Sequence, residues 1–243
     1  MTANIAKRTI GIVACSAEGA ALCYRTICSR APVLLGKHAH PDIVLHSISL
    51  ADYVEALEAG DLRGVANIML KSAEHLKAAG ADFLICPDNT IHSAMAYVRP
   101  NSPLPWLHIA EVLASEASRR GFQRPCILGT QWLVESDVYP DALARFGIDF
   151  LLPENNERLK ISEIIMDELV NDIQRAESVS YFQALIEKMK ARGCDSAILG
   201  CTEIPIIIND DNSELPTLDS TRLLADAALH HAVLARSGER SHG

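Results

Sequence analysis

A cysteine that could exchange a proton with a substrate follows a short apolar stretch late in the chain. Residues Ser196–Leu199 predict a strand, and Gly200-Cys201-Thr202-Glu203 comes directly after it. A strand that ends in glycine and small polar residues often leads into a helix N-terminus, which lowers the pKa of a thiol. We therefore expect an acidic thiol at Cys201, at the carboxyl end of a parallel strand, where α/β proteins bind their ligands.

The same pattern occurs earlier in the chain with an aspartate in place of the cysteine. Residues 79–90 align with residues 192–203, so that Asp88 falls on Cys201 and Asn89 on Thr202, an offset of 113 (201 − 88). Residues 8–14 likewise resemble 124–130 at an offset of 116 (124 − 8), and residues 104–108 resemble 215–219 at an offset of 111 (215 − 104). Three repeats in the same order predict an internal duplication.

Alternating strands and helices predict an α/β fold of two similar parallel-sheet domains, related by a pseudo-two-fold, with the site between them. The continuous apolar run at residues 8–14 is typical of a strand buried on both faces of a parallel sheet. We expect a first domain of residues 1–103 plus 209–243, with the Asp88 loop, and a second of residues 104–208, with the Cys201 loop. The repeat at 215–219 suggests that the last segment returns to the first domain.

The composition excludes several classes of protein. The chain has 243 residues, 49% hydrophobic and 22% charged, which is typical of a soluble enzyme. A net charge of −9 without any Lys/Arg cluster argues against nucleic acid or an anionic membrane as partner. No stretch is long enough to span a membrane, and the first seven residues lack the apolar core of a signal peptide.

The cysteines predict a reducing environment. Their number, seven, is odd and no pair forms a C-x-x-C motif, which disfavours a disulfide framework and a zinc site. We therefore expect a cytoplasmic protein without a metal.

No G-x-G-x-x-G or Walker loop occurs and no nicotinamide or pyridoxal signature is present, so we expect no cofactor either.

Two motifs resemble those of the cofactor-independent aspartate/glutamate racemases. Residues 199–205, L-G-C-T-E-I-P, resemble the second catalytic-cysteine motif of that family, and residues 87–92, P-D-N-T-I-H, resemble the first, a Pro-Cys-Asn-Thr-x-His run. Similar stretches lie at 104–110, 127–130 and 153–169, so the resemblance covers about residues 10–232. It implies an amino-acid racemase, with two proton-active groups on opposite faces of a planar intermediate, and a homodimer.

The first motif departs from the family at the position that matters most. Asp88 stands where the family usually has its first catalytic cysteine, and Cys86, two residues earlier, is out of register with Cys201. An aspartate is a weaker base than a thiolate because its reference pKa is about 3.9. We expect Cys201 and Asp88 to share one proton and to serve opposite faces of the substrate, although Asp88 could instead only cap a helix that begins near Ile91.

The resemblance also implies a set of binding residues. The α-carboxylate would be held by Asn89, Thr90, Thr130 and Thr202. Lys160 would bind a side-chain carboxylate, or could simply be solvated, and Ser16 would line the rim. Tyr53 stands near where an aspartate-specific member has an arginine. Glu203 and His92 are expected to support the catalytic loops, although Glu203 could merely complement a helix dipole.

Two other functions stay open at this point. Relatives of the same fold need a single cysteine, either to protonate an enolate after decarboxylation of a malonate or to isomerise an unsaturated diacid. A third reading is a catalytically silent protein that binds a small carboxylate. In all three cases the partner is a small amino acid or dicarboxylate.

Overall fold

A computed structural model describes residues 7–234 of the chain. These residues form two compact units. The first contains residues 7–87, 94–108 and 224–234, and the second contains residues 88–93 and 109–223. None of the helices in this described part is long and apolar enough to cross a membrane.

The first unit contains a sheet of four parallel strands in the order β2-β1-β3-β4. In chain order they are β1 (Ile10–Ala14), β2 (Ile43–Ser47), β3 (Phe83–Ile85) and β4 (Trp106–Leu107). All five residues of β1 are buried, as its unbroken apolar sequence predicts. Ile10 pairs with Ile43 on one side and with Phe83 on the other, so β1 lies inside the sheet.

Five helices belong wholly or mostly to the first unit. They are α1 (Ala17–Leu35), α2 (Leu50–Glu58), α3 (Leu62–Ala78), α4 (Met95–Val98) and the greater part of α10 (Ser220–Leu234). The turn after β1 leads directly into α1, whose N-cap is Ser16; its Oγ accepts a hydrogen bond from the backbone N–H of Gly19 at 3.2 Å. Capping satisfies a backbone donor that the first helical turn leaves unpaired.

The second unit contains three parallel strands in the order β5-β6-β7, which are β5 (Pro125–Leu128), β6 (Ser196–Leu199) and β7 (Thr217–Asp219). An isolated parallel bridge between Cys126 and Leu151 extends this sheet on the far side of β5. The resulting order, from the Leu151 bridge through β5 and β6 to β7, repeats the order of the first sheet. The two parallel α/β arrangements confirm the predicted fold class, and each pair of repeated segments occupies an equivalent strand.

Helices cover both faces of the second sheet. They are α5 (Ile109–Arg120), α6 (Gln131–Val134), α7 (Val138–Ala144), α8 (Asn155–Asp167) and α9 (Ala176–Ala191). Side chains alternate along a strand, so Cys126 and Leu128 pack with the buried residues of α8 and α9, whereas Ile127 packs with those of α5 and α7. Because the helices cover the faces, the loops at the carboxyl ends of the strands remain to build a site.

Two elements that follow β5 are short. Helix α8 ends at Asp167, because a 3₁₀ turn at Leu169–Asn171 follows and Asp172 takes a left-handed conformation with φ of 56°. The apolar stretch that ends at Leu152 forms only the bridge at Leu151. Pro153 comes soon after and has no backbone N–H with which to continue a ladder.

The compact units also differ from the predicted domain boundaries, 1–103 plus 209–243 and 104–208. Strand β4 pairs with β3 and strand β7 pairs with β6, so each repeated strand stays in the sheet of its own half. Residues 209–223 therefore group with the second unit, and only α10 from Leu224 onward groups with the first. Residues 88–93, with Asp88, group with the unit that contains Cys201. Where independently folding domains begin and end stays a prediction.

Candidate active site

The loop that carries Cys201 begins where β6 ends. Gly200 follows Leu199, and its backbone N–H donates to the carbonyl oxygen of Leu128 at 2.7 Å. A Cβ at this position would lie 2.9 Å from that same oxygen and 2.7 Å from Cδ2 of Leu133. Only glycine fits so close an approach without a shift of the neighbouring backbone. Gly200 thus holds the start of the loop against β5, and Cys201 is the next residue.

A buried carboxylate lies next to the Cys201 thiol. Sγ of Cys201 donates a hydrogen bond to Oε2 of Glu203 at 2.9 Å, and Oγ1 of Thr202 donates to the same oxygen at 2.8 Å. Glu203 and Thr202 are each 2% exposed. Glu203 therefore contacts the thiol directly, and its supporting role stays a prediction.

The expected acidity of Cys201 is wrong. The residue is partly exposed, but protein atoms enclose its sulfur, and this desolvation raises the pKa of the thiol well above its usual range. The charge of Glu203 and its hydrogen bond raise that pKa further, and so does the charge of Asp88. No long helix begins after the loop to oppose these effects, because only a 3₁₀ helix at Ile204–Ile206 follows. At neutral pH the sulfur therefore keeps its proton.

Replacing Glu203 with glutamine should lower the pKa of Cys201, because it removes the nearest negative charge and keeps an amide oxygen as acceptor. A larger thiolate fraction at any pH below that pKa should accelerate alkylation of Cys201 by iodoacetamide. The rate is measured between pH 7 and 10 by mass spectrometry of the peptide 193–222, whose fragment ions distinguish Cys201 from Cys194. The exposed Glu187→Gln in α9 makes the same charge change elsewhere and should leave the rate unchanged. Equal rates in Glu203→Gln and wild type would contradict the assignment.

The Asp88 loop is fixed by three hydrogen bonds within the second unit. Oδ1 of Asp88 accepts from the backbone N–H of Ile91 at 3.2 Å, at the start of the 3₁₀ helix Thr90–Ala94. Nδ1 of His92 lies 2.6 Å from the carbonyl oxygen of Asp88, and Nε2 of His92 accepts from the backbone N–H of Ile109 at 3.4 Å. This pattern places a proton on Nδ1 and leaves Nε2 as the acceptor. Asp88 does cap this helical turn, and the supporting role of His92 stays a prediction.

Two hydrogen-bonded links join the Asp88 loop to the strand ends. The hydroxyls of Thr90 and Thr130 lie 3.0 Å apart, and Thr130 follows β5. Nδ2 of Asn89 donates to Oγ of Ser220 at 3.0 Å, and Ser220 follows β7. These links bring most of the predicted α-carboxylate ligands into one cluster. Asp88 itself lies near enough to Cys201 for its charge to affect the thiol.

Two residues of this cluster were not found from the sequence. Tyr139 in α7 donates from its hydroxyl to Oδ1 of Asn89 at 2.6 Å, and Ser220 accepts from the other end of the same amide. Ser220 could have been identified, because Asp219-Ser220-Thr221 is a polar run at the end of a strand, as Gly200-Cys201-Thr202 is. Tyr139 lies within an ordinary amphipathic helix, and nothing in its sequence context points to a site.

Three further residues named in the sequence analysis are Lys160, Ser16 and Tyr53. Lys160 lies on the exposed side of α8, where its Nζ forms an ion pair with Oε1 of Glu163 at 2.9 Å. Ser16 and Tyr53 belong to the first unit, where Ser16 caps α1 and Tyr53 is fully buried. Within residues 7–234 no group of three or more His, Cys, Asp or Glu side chains could hold a metal ion.

The fold and the cluster together define a class of protein. Two parallel α/β arrangements carry a thiol and carboxylates at the ends of their strands, which are groups able to exchange protons with a ligand. The sequence profile of the Asp/Glu/hydantoin racemase family matches residues 10–228. The chain belongs to this family and is an isomerase.

Individual relatives agree with this assignment. The broad specificity amino-acid racemase RacX of Bacillus subtilis is 24% identical over 161 residues, which are 66% of this chain and 69% of the relative. The crystal structure of a putative Asp/Glu racemase from Yersinia pestis is 29% identical and superposes with a TM-score of 0.84 over 93% of this chain and 99% of the other. An aspartate racemase homologue from Pyrococcus horikoshii, 23% identical, shares the fold with a TM-score of 0.79 over 93% and 99% of the two chains.

Proposed function

We propose that this chain is a cofactor-independent amino-acid racemase or epimerase in which Cys201 and Asp88 exchange protons with the α-carbon of the substrate. The observation that carries the proposal is the hydrogen bond from the Cys201 thiol to the buried Glu203, in the same unit as the loop that contains Asp88. A resting state with one acid and one base is what a two-faced proton transfer requires.

In one direction Asp88 is the base. Its carboxylate takes the α-proton, so that the Cα–H bond breaks, an O–H bond forms on Asp88, and the electron pair spreads into the α-carboxylate. The S–H bond of Cys201 then breaks, and its proton forms a new Cα–H bond on the opposite face. The product is the other enantiomer, with Asp88 protonated and Cys201 as thiolate.

In the other direction the roles are exchanged. The Cys201 thiolate is the base and the protonated Asp88 is the acid. The burial and the neighbouring charges that raise the pKa of Cys201 make its thiolate a stronger base, and this helps because an α-proton is only weakly acidic. Since two enantiomers have equal free energies, kcat/KM must be equal in both directions at every pH.

The substrate is held by groups that the loops supply. Asn89, Thr90, Thr130 and Thr202 are proposed to bind the α-carboxylate, on which negative charge grows as the proton leaves. Lys160 is proposed to bind a side-chain carboxylate where a substrate has one, and it must then exchange its ion pair with Glu163 for the substrate. Ser16 is proposed to line the rim of the site.

Proton NMR in deuterium oxide tests the proposed function. Wild-type protein is incubated with each member of a panel of L- and D-amino acids, and the α-proton signal is followed while the enantiomers are separated after derivatisation. We expect at least one amino acid to lose its α-proton signal and to appear as the deuterated opposite enantiomer. No exchange and no inversion in any amino acid would refute racemisation of free amino acids.

A second candidate is favoured by the cap contact of Asp88. Because Oδ1 of Asp88 accepts from Ile91, the loop can be explained without any acid/base role, and Cys201 would then work alone. Single-cysteine chemistry of a decarboxylase or a cis–trans isomerase would be detected as carbon dioxide from a malonate or as fumarate from maleate. Thermal stabilisation by a carboxylate that is never converted would instead identify a silent binder.

The homodimer and the cytoplasmic location are also proposals. The first rests on the family resemblance and is tested by light scattering of the purified chain. The second rests on the odd number of cysteines, seven, without a C-x-x-C motif, and is tested by fractionation of cells that express the chain.

A further inference from the structure

A continuous line of hydrogen bonds runs from α7 through the Asp88 loop to the end of β6. The hydroxyl of Tyr139 donates to Oδ1 of Asn89 at 2.6 Å, and Nδ2 of Asn89 donates to Oγ of Ser220 at 3.0 Å. Oγ of Ser220 in turn donates to the carbonyl oxygen of Leu199 at 2.9 Å, two residues before Cys201. Tyr139, Asn89 and Ser220 are 1%, 2% and 0% exposed.

The carbonyl oxygen of Leu199, at one end of this line, determines which atom donates and which accepts in every bond. A backbone carbonyl can only accept, so the single hydroxyl proton of Ser220 is directed to Leu199. Ser220 must then accept from Asn89, which requires Nδ2 of Asn89 on that side and Oδ1 on the other. Tyr139 must therefore donate to Oδ1. The orientation of the Asn89 amide follows from the network and does not depend on distinguishing N from O directly.

Tyr139 is suited to be a permanent donor. Burial raises the pKa of its hydroxyl far above the usual range, and the charges of Asp219 and Cys201 raise it further, although the nearby Ser220 hydroxyl opposes this. The phenol therefore stays protonated at neutral pH, because burial raises its pKa. A group that stays protonated contributes no proton to catalysis and keeps its hydrogen bond to Asn89.

The network leaves the Asn89 amide with one N–H to spare. An amide nitrogen has two N–H groups, and in the described part of the chain Nδ2 of Asn89 makes one hydrogen bond, to Ser220. The acceptor oxygen of the amide is occupied by Tyr139. Asn89 thus has one N–H that can donate to a group bound beside it, while its oxygen is held by Tyr139.

We infer that Tyr139, assisted by Ser220, is a positioning residue that fixes the Asn89 amide as an N–H donor to the substrate carboxylate. The inference rests on the proposed function, in which Asn89 binds the α-carboxylate. The fixed donor stabilises the negative charge that this carboxylate gains when the α-proton leaves, because a preorganised N–H need not reorient during the reaction. An amide turned the other way would present oxygen to oxygen and repel the same substrate.

Replacing Tyr139 with phenylalanine removes the donor and keeps the ring. Oδ1 of Asn89 is then buried without a partner, which lets the amide rotate away from its productive orientation. Loss of one aimed donor to a developing anion typically costs 10²- to 10³-fold in kcat. Since Ser220 still opposes a full reversal of the amide, we expect a loss of about tenfold to a hundredfold, mainly in kcat.

Tyr181→Phe is the matched control. Tyr181 belongs to α9 of the same unit, and its hydroxyl makes one long bond of 3.4 Å to the carbonyl oxygen of Glu157. This substitution removes the same atom outside the network and should leave kcat and KM unchanged. An equal kcat in Tyr139→Phe and Tyr181→Phe would overturn the inference, whereas absence of exchange in wild type would refute the proposed function instead.

A double-mutant cycle separates positioning from a general loss of stability. If Tyr139 acts only through Asn89, Tyr139→Phe should lower kcat in the wild-type background and have no further effect in an Asn89→Ala background. A residue that merely stabilises the fold would lower activity by the same factor in both backgrounds. Additive effects would therefore contradict the inference.

Binding provides a readout that needs no turnover. The probe is 2-aminoisobutyrate, which has an α-carboxylate but no α-proton. In ¹⁵N-labelled protein the side-chain amide signals of Asn89 are assigned by their absence from Asn89→Ala. We expect the probe to shift these signals in wild type and in Tyr181→Phe, and to shift them several-fold less in Tyr139→Phe. Equal shifts in all three proteins, or no shift in wild type, would contradict the inference.

Discussion

Cys201→Ala should reduce inversion of the substrate by at least a thousandfold. General acid/base groups contribute typically 10²- to 10⁴-fold, and here the thiol supplies the only proposed proton on its face of the substrate. In deuterium oxide, exchange should disappear for the enantiomer whose α-proton faces Cys201. At most a slow exchange from the other enantiomer should remain, because Asp88 is a weak base. Both quantities come from the NMR and enantiomer analysis described above.

The substitution should leave the fold intact, so that the loss can be attributed to chemistry. Oε2 of Glu203 keeps its hydrogen bond from Thr202 when the thiol is removed. Cys194→Ala is the control, since this cysteine lies in the apolar cluster under α8 and α9 and takes no part in the site. It should retain wild-type kcat. Inversion by Cys201→Ala at a rate near that of wild type would show that another group serves this face.

The architecture could be predicted because it depends on patterns that a sequence displays openly. Buried parallel strands are continuous apolar runs, as in β1 and β6, and a duplication repeats those runs at a nearly constant offset. The strand that follows residue 104 and the strand that follows residue 215 were both located by this repeat. The strands with which they pair were not predicted, because strand pairing depends on three-dimensional packing. Similarity between two strands does not show which strand lies next to each of them.

The chemistry of the site could be predicted only in part. The positions of Cys201 and Asp88 at strand ends follow from the order of the elements, but the protonation of the thiol depends on what surrounds it. The sequence suggested a helix N-terminus that would acidify the sulfur, whereas the chain forms a three-residue 3₁₀ helix there and buries Glu203 against the thiol. A local sequence pattern can predict the effect of a helix dipole on the pKa of the thiol. The desolvation of the sulfur and the neighbouring charge are tertiary effects, which the pattern does not contain.

The same distinction explains why Tyr139 was missed. Its hydroxyl reaches Asn89 across 50 residues of sequence, and Ser220 reaches it across 131. No motif spans such distances, so a supporting residue of this kind has no signature of its own. The Asp88 and Cys201 loops were found because their residues are close together in sequence. Tyr139 and Ser220, which are hydrogen-bonded to Asn89 from distant parts of the chain, were not.

Asp88→Asn should stop inversion and preserve the fold. Asparagine caps a helix as well as aspartate does, so its Oδ1 should still accept from the backbone N–H of Ile91. The amide cannot accept or return a proton, and we expect inversion to fall by 10²- to 10⁴-fold. Exchange from the enantiomer that faces Cys201 should persist, because the thiolate can remove that proton and return deuterium to the same face. Denaturant unfolding and the exchange assay measure the two effects separately.

Two further substitutions at the same position separate the cap from the chemistry. Asp88→Ala removes both the helix cap and the proton-transfer group. It should lower the free energy of unfolding by about 0.5–2 kcal/mol and also abolish inversion. Asp88→Cys supplies a thiol where the family has its first catalytic cysteine, and should support inversion although it caps the turn poorly. If Asp88→Asn instead inverts its substrate at the wild-type rate, Asp88 is only a helix cap. The chemistry would then rest on Cys201 alone, and diacids become the substrates to test.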